Sequence, residues 1–92
     1  MSDEIVIWSI GVDRPIEPSE PLQATPVIPP GALVVLEGRA PIWRYCQALH
    51  LLHGSPAGAI AVFDPKLGGA VVVASHRRQY TEGQIVKMEA QP

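Results

Sequence analysis

Several features that would settle a fold class early are scarce in this sequence of 92 residues. It has one cysteine, which excludes an intrachain disulfide, and it has no zinc-finger spacing. No apolar run approaches the roughly 20 residues that span a bilayer. The acidic start, Met-Ser-Asp-Glu, lacks the basic residues of a signal peptide. These absences favour a cytoplasmic protein.

Sequence motifs of common enzyme classes are also missing. There is no phosphate-binding loop and no dinucleotide fingerprint, and neither Ser55 nor Ser75 has the surroundings of a serine nucleophile. The composition, 47% hydrophobic and 17% charged, is typical of a globular chain and not of a disordered one. We therefore predict one domain over residues 1–92. A domain of this size is often stabilised by oligomerisation.

Charge is unevenly distributed along the chain, although the net charge is only −2. Up to Gly38 there are six acidic residues and one basic residue, whereas from Arg39 onward there are six basic and three acidic residues. A basic region favours a phosphate-bearing ligand. Solvated lysine and arginine side chains on an ordinary surface would give the same composition.

Proline is concentrated in the first half of the chain. Seven of the ten prolines lie between Pro15 and Pro41, and proline removes a backbone donor that helices and central strands need. We predict a long proline-rich connection over residues 11–30, in which residues 27–28 suit a short edge strand. It either packs on the core through Leu22 and residues 27–28 or contacts a partner.

The remaining apolar segments predict a small mixed α/β fold. Five runs rich in valine, isoleucine and alanine predict strands over residues 5–10, 33–36, 58–63, 70–74 and 84–88. Residues 42–53 favour a helix, which Pro41 can begin and Gly54 can end. The order is strand, loop, strand, helix, strand, strand, strand, with a parallel crossover around the helix. We expect the helix to cover one face of a mixed sheet, and a dimer is one way to cover the other.

Apolar residues recur at helical spacing on two overlapping stripes of this helix. One stripe consists of Ile42, Cys46, Leu49 and His53, and the other of Tyr45, Leu49 and Leu52. We interpret Cys46 as a small buried hydrophobic residue.

The side chains suited to chemistry lie between residues 38 and 76. His50 and His53 are three residues apart, which places them on roughly one helix face. Asp64 ends one predicted strand and His76 ends the next. Imidazoles with a carboxylate suit Mn²⁺, Zn²⁺, Fe²⁺ or Ni²⁺ better than Mg²⁺. The alternative is that the histidines are ordinary surface residues and that Asp64 starts a turn. These side chains need not meet within one protomer, because a dimer can bring them together.

Three segments resemble a small CRISPR-associated family of type III systems. They are Gly-Arg-Ala-Pro-Ile-Trp at 38–43, Ala-Val-Phe-Asp-Pro-Lys-Leu-Gly at 61–68 and Ala-Val-Val-Val-Ala-Ser-His at 70–76. This family was first described as a manganese-dependent RNA nuclease and later as a ring nuclease for cyclic tetra-adenylate. The resemblance, over residues 33–88, implies a mixed α/β protomer and an obligate homodimer. It also implies that the cyclic nucleotide is held between two dimers.

The same resemblance assigns roles by position. It implies that Asp64, His76 and His53 are catalytic and that Mn²⁺ is held by His53, His50 and Asp64. Lys66 stands where the family often has arginine, so it keeps the charge and loses the bidentate fork. Gly69 is an additional residue in the turn. The substrate-binding residues that it implies are Lys66, Ser75, Arg77 and Arg39.

The function implied by the resemblance is a metal-dependent phosphodiesterase that cleaves cyclic tetra-adenylate and so switches off type III CRISPR signalling. A ribose 2′-hydroxyl of the substrate attacks its own phosphate, so the protein holds the geometry, neutralises charge and moves one proton. A metal ion suits the second task and an imidazole such as His76 the third. The alternatives are a 3′-end RNA exonuclease, a non-catalytic sensor that binds the cyclic nucleotide, and a structural dimeric subunit.

Overall fold

The computed structural model describes residues 3–88 and has the mixed α/β fold that the sequence predicts. The strands lie in the sheet in chain order, with β1, β2 and β3 parallel and with β3–β4 and β4–β5 antiparallel. Within the described range, the single helix is too short to cross a membrane. The elements are β1 (Ile5–Ser9), β2 (Leu33–Glu37), α1 (Ile42–His53), β3 (Ala59–Asp64), β4 (Gly69–Ser75) and β5 (Ile85–Lys87).

β2 lies between β1 and β3 in the sheet, and its first four residues are almost completely inaccessible to solvent. They form a continuous apolar run, which is typical of a strand covered on both faces. β3 next to it supplies small residues, and its first three are also buried. The helix follows from the same chain order, because a parallel β2–β3 pair needs a crossover and α1 provides it.

One face of the sheet packs against α1 and the proline-rich connection. Arg44, Ala48 and Leu52, spaced four residues apart, are the buried residues of the helix, and Tyr45 and Leu49 pack beside them. The second predicted stripe is therefore confirmed. The first is wrong, because Ile42 is 83% exposed and Cys46 and His53 are also exposed. Three of the four residues of this stripe point away from the helix face that packs on the sheet.

The opposite face is not left bare by the protomer, contrary to the prediction. Phe63 of β3 and Val86 of β5 pack against its buried residues, and so do Tyr80 and Met88 from the chain on either side of β5. Apolar side chains of the sheet nevertheless remain exposed, with Ile5 and Ile7 of β1 at 45% and 38% and Val73 of β4 at 41%. The buried residues of this face are Leu33, Val35, Ala59, Ala61, Ala70 and Val72. The predicted dimer therefore stays a prediction.

The proline-rich connection packs on its own protomer. Leu22 and Ile28 contact the core under α1, whereas Val27 is 90% exposed and residues 27–28 form no strand. A salt bridge of 2.9 Å joins Arg14 to Glu20 within the connection. Its course is therefore fixed by intramolecular contacts.

Arg44 of α1 anchors the proline-rich connection. It is the one charged side chain in the core of residues 3–88, at 3% exposure. Its guanidinium donates hydrogen bonds of 3.2–3.4 Å to the carbonyl oxygens of Ile10, Glu20 and Pro21. A further bond of 3.1 Å reaches Gln23 Oε1. One partner, Ile10, directly precedes the connection, and the others lie near its middle. Arg44 of α1 therefore holds the intervening segment against the helix.

Candidate functional site

The predicted site residues lie at two opposite ends of the sheet. β3 and β4 pair antiparallel, with Ala59 opposite Ser75 and Asp64 opposite Gly69. Five residue steps at about 3.3 Å separate these two ends by roughly 17 Å. Here the end with the carboxyl termini of β2 and β3 is called the aspartate edge. The end with the carboxyl termini of α1 and β4 is called the histidine edge.

The histidine edge brings His53 and His76 together. Their ring centroids are 6.5 Å apart, and the rings are nearly perpendicular, at 86°. His53 is the last residue of α1, and His76 follows β4, where its backbone N–H donates to Gly58 O at 2.8 Å. Both side chains are exposed. Two imidazoles that bind one ion at about 2.1 Å place their centroids at most about 6.5 Å apart, so this pair is at the limit for sharing a metal.

Ser75 and Arg77, also at the histidine edge, are engaged within the protomer. Ser75 Oγ donates to Arg77 O at 2.9 Å and accepts from Arg77 N at 3.1 Å. The Arg77 side chain is 10% exposed. It donates to Gly31 O at 2.7 Å and to Asp3 Oδ1 at 3.2 Å. Within the protomer these atoms join the strand ends to each other, and the predicted substrate-binding role of this pair stays a prediction.

We expect Arg77→Ala to lower the free energy of unfolding by about 1–3 kcal/mol, because it removes a charged donor from a half-buried carbonyl. Arg78→Ala, an exposed neighbour, is the matched control and leaves stability nearly unchanged. Thermal unfolding followed by circular dichroism measures both. Equal stability of the two variants, with lost ligand affinity only in Arg77→Ala, would contradict the structural role and support the predicted binding role.

Acid should weaken the same contact. Hydrogen bonds from Gln79 and Arg77, together with the Arg77 charge, hold the pKa of Asp3 below its usual value. A carboxylate with a lowered folded-state pKa stabilises the fold above its unfolded pKa, near 4, and loses that contribution as pH falls further. Asp3→Asn should therefore flatten this part of the pH dependence.

The aspartate edge holds Asp64 and the exposed basic residues. Asp64 Oδ1 accepts a hydrogen bond of 2.8 Å from the backbone N–H of Lys66, which shapes the turn to β4. Lys66 and Arg39 are exposed there. Lys87 of β5 joins them, since it lies opposite Gly69 in the β4–β5 register. Three cationic side chains therefore lie at this end of the sheet.

A cavity of about 430 Å³ lies beside Asp64 at this edge. Phe63 and Pro65, the two neighbours of Asp64 in the chain, form part of its wall. The other lining residues are Glu37, Gly38, Arg39 and Tyr45. The Tyr45 hydroxyl donates to Gly38 O at 2.5 Å. Burial and, to a smaller extent, the Glu37 charge raise the pKa of Tyr45, so the phenol stays protonated as a donor.

Gly38 makes the close approach behind this cavity possible. Its φ is +119°, and a Cβ there would lie 2.5 Å from Gly11 N. The glycine of the Gly-Arg-Ala-Pro-Ile-Trp segment is therefore required by backbone packing between the ends of β1 and β2. Arg39 follows this glycine in the short connection from β2 to α1.

The predicted metal triad is not assembled in one protomer. His50 lies on the other side of α1 from the sheet and lines a shallow groove against residues 18–22 of the proline-rich connection. Asp64 is at the opposite edge from His53. Within residues 3–88, no three His, Cys, Asp or Glu side chains are placed to hold an ion. A helix surface and a strand end that point to different edges cannot supply one coordination sphere within the same subunit.

The sequence did not point to three residues that the structure places in the core or at the aspartate edge. Arg44 shares the spacing of Ala48 and Leu52, and this pattern would have indicated that it is buried. Glu37 is the last residue of the buried strand β2 and directly precedes the Gly-Arg-Ala-Pro-Ile-Trp segment. Lys87 depends on the β4–β5 register, for which the sequence carries no signal.

The comparisons with known proteins agree with the resemblance at the level of the family. The model of the family described as CRISPR-associated protein (Cas_csx3) matches residues 9–87, from the end of β1 through β5. An uncharacterized protein of Aquifex aeolicus (strain VF5) is 38% identical over 104 aligned residues, covering 95% of this chain and 92% of that protein. Both the histidine edge and the aspartate edge fall inside the matched range. The chain therefore belongs to the CRISPR-associated Cas_csx3 family.

Proposed function

We propose that this protein is a metal-dependent phosphodiesterase that opens cyclic tetra-adenylate and so ends type III CRISPR signalling. In this proposal one active site combines the histidine edge of one subunit with the aspartate edge of another. The observation that carries it is the separation of His53 and His76 from Asp64 at opposite ends of one sheet. Each edge alone has half of the groups that the reaction needs, and membership of a CRISPR-associated family supports this substrate class.

The reaction uses no external nucleophile. The 2′-oxygen of one ribose loses its proton and bonds to the adjacent phosphorus, the bond from phosphorus to the 5′-oxygen breaks, and that oxygen takes up a proton. The product is a linear chain that ends in a 2′,3′-cyclic phosphate. His76 is exposed, and an imidazole can act as a general acid or a general base for this proton transfer.

A metal ion would be held by His53 with Asp64 of a second subunit. The donor set fits Mn²⁺, since it combines imidazole nitrogen with carboxylate oxygen and neither side chain is buried. When bound, the ion supplies charge neutralisation at the phosphate. His50 has no part in this arrangement, because it faces the proline-rich connection.

At the aspartate edge Lys66 and Lys87 would hold the phosphates. We expect Lys66→Ala to weaken binding of cyclic tetra-adenylate and to reduce the slope of log affinity against log salt by about one, as for the loss of one phosphate contact. Binding is measured by fluorescence anisotropy between about 50 and 200 mM salt. Lys66→Arg is the matched control and keeps the slope. An unchanged slope in Lys66→Ala would show that this side chain does not touch phosphate.

The proposal is tested by incubating the purified protein with cyclic and with linear tetra-adenylate, in the presence and absence of Mn²⁺. We expect the ring to open only with metal and the linear chain to be cleaved much more slowly. Equal cleavage of linear RNA would favour a 3′-end exonuclease. Binding without turnover would favour a sensor.

A further inference from the structure

The cavity beside Asp64 contains an acidic side chain and a basic side chain that do not pair. Within residues 3–88, neither the Glu37 carboxylate nor the Arg39 guanidinium makes a side-chain hydrogen bond or salt bridge. Only Gly38 separates them in the chain, and both line the same cavity. Because these two side chains do not pair with each other, the carboxylate can accept hydrogen bonds from a ligand in the cavity and the guanidinium can donate them.

A carboxylate at this edge is unexpected if the ligand is only a polyanion. Glu37 is half-buried and lies among the basic residues of the aspartate edge, where it would repel phosphate. Its presence is favourable only if it accepts hydrogen bonds from part of the ligand that carries donors. The rest of the wall is largely apolar, with Tyr45, Phe63 and Pro65.

We propose that this cavity binds an adenine base, with Glu37 accepting from the exocyclic amine and Arg39 donating to a ring nitrogen. Adenine presents this combination of an amine donor next to a ring acceptor. Aromatic and proline side chains suit the flat faces of a base. Because Phe63 and Pro65 flank Asp64, a base in this cavity sets its own sugar and phosphate beside that carboxylate. The inference rests on the proposed function and assigns its base specificity.

The test compares two ligands that differ only in the base, cyclic tetra-adenylate and cyclic tetra-inosinate. Hypoxanthine replaces the amine with an oxygen, so the Glu37 carboxylate would face an acceptor. We expect the wild-type protein to prefer the adenine ring by about ten- to a hundredfold in dissociation constant and in kcat/KM. In Glu37→Gln the preference should fall to within about threefold, because the amide can serve either base.

Glu17→Gln is the matched control, since it removes the same charge from an exposed position on the proline-rich connection. It should keep the wild-type preference. A purely electrostatic role of Glu37 would change the affinity for both rings by one common factor, and that result would overturn the inference.

The outcomes separate the inference from the proposed function. If the wild-type protein opens both rings equally well, the adenine site is wrong and the phosphodiesterase stands. If it binds the adenine ring preferentially through Glu37 and opens neither ring, the adenine site stands and the phosphodiesterase falls. If it binds neither ring, both are overturned.

Discussion

An equimolar mixture of Asp64→Ala and His76→Ala should recover about a quarter of the wild-type ring-opening activity, although each variant alone loses about a hundredfold or more. The reason is geometric. Asp64 and His76 lie at opposite ends of the sheet, so a site that uses both takes them from different subunits. After random exchange of subunits, half of the positions supply an intact Asp64 edge and half supply an intact His76 edge.

The measurement is the rate of cyclic tetra-adenylate loss after the two proteins have been mixed and allowed to exchange. His50→Ala mixed with either variant is the control for exchange alone, since His50 faces away from both edges. The double variant mixed with wild-type protein calibrates the dilution. A mixture that stays inactive while each variant remains folded would show that the two side chains do not share a site between subunits.

Arg44→Met should lower the free energy of unfolding by about 3 kcal/mol and the melting temperature by more than about 10 °C. Methionine occupies a similar volume in the core and has no hydrogen-bond donor. Three backbone carbonyls, of Ile10, Glu20 and Pro21, lose their shared donor together. For a domain of this size the loss is a large part of the total stability.

Thermal unfolding and limited proteolysis measure this effect. The matched control is Arg39→Met, which makes the same change at an exposed position and should leave the melting temperature almost unaltered. We expect new cleavage within residues 11–30 only in the Arg44 variant, because its loss releases that segment first. A melting temperature within a few degrees of wild type would show that Leu22 and Ile28 hold the connection without Arg44.

Local chemistry explains why the elements were predictable. Pro41 and Gly54 bracket α1, and the helix forms over residues 42–53 as predicted. The continuous apolar run of β2 and the turn between Asp64 and Gly69 are likewise encoded by neighbouring residues. The buried face of α1 was harder, because it is set by the direction in which the crossover lays the helix on the sheet. That face includes Arg44, whose charge is satisfied only by a segment more than 20 residues away.

The sequence by itself determined the order of the elements, the mixed α/β class and the stretch in which the histidines and Asp64 lie. These follow from hydrophobic periodicity, proline and glycine, all of which act over a few residues. Only the tertiary structure decided which side chains meet. The antiparallel register of β3 and β4 brings His76 to His53 and sends Asp64 to the other end, beside Glu37 and Arg39. Strand pairing joins residues that are distant in the chain, and no local pattern records where their side chains converge.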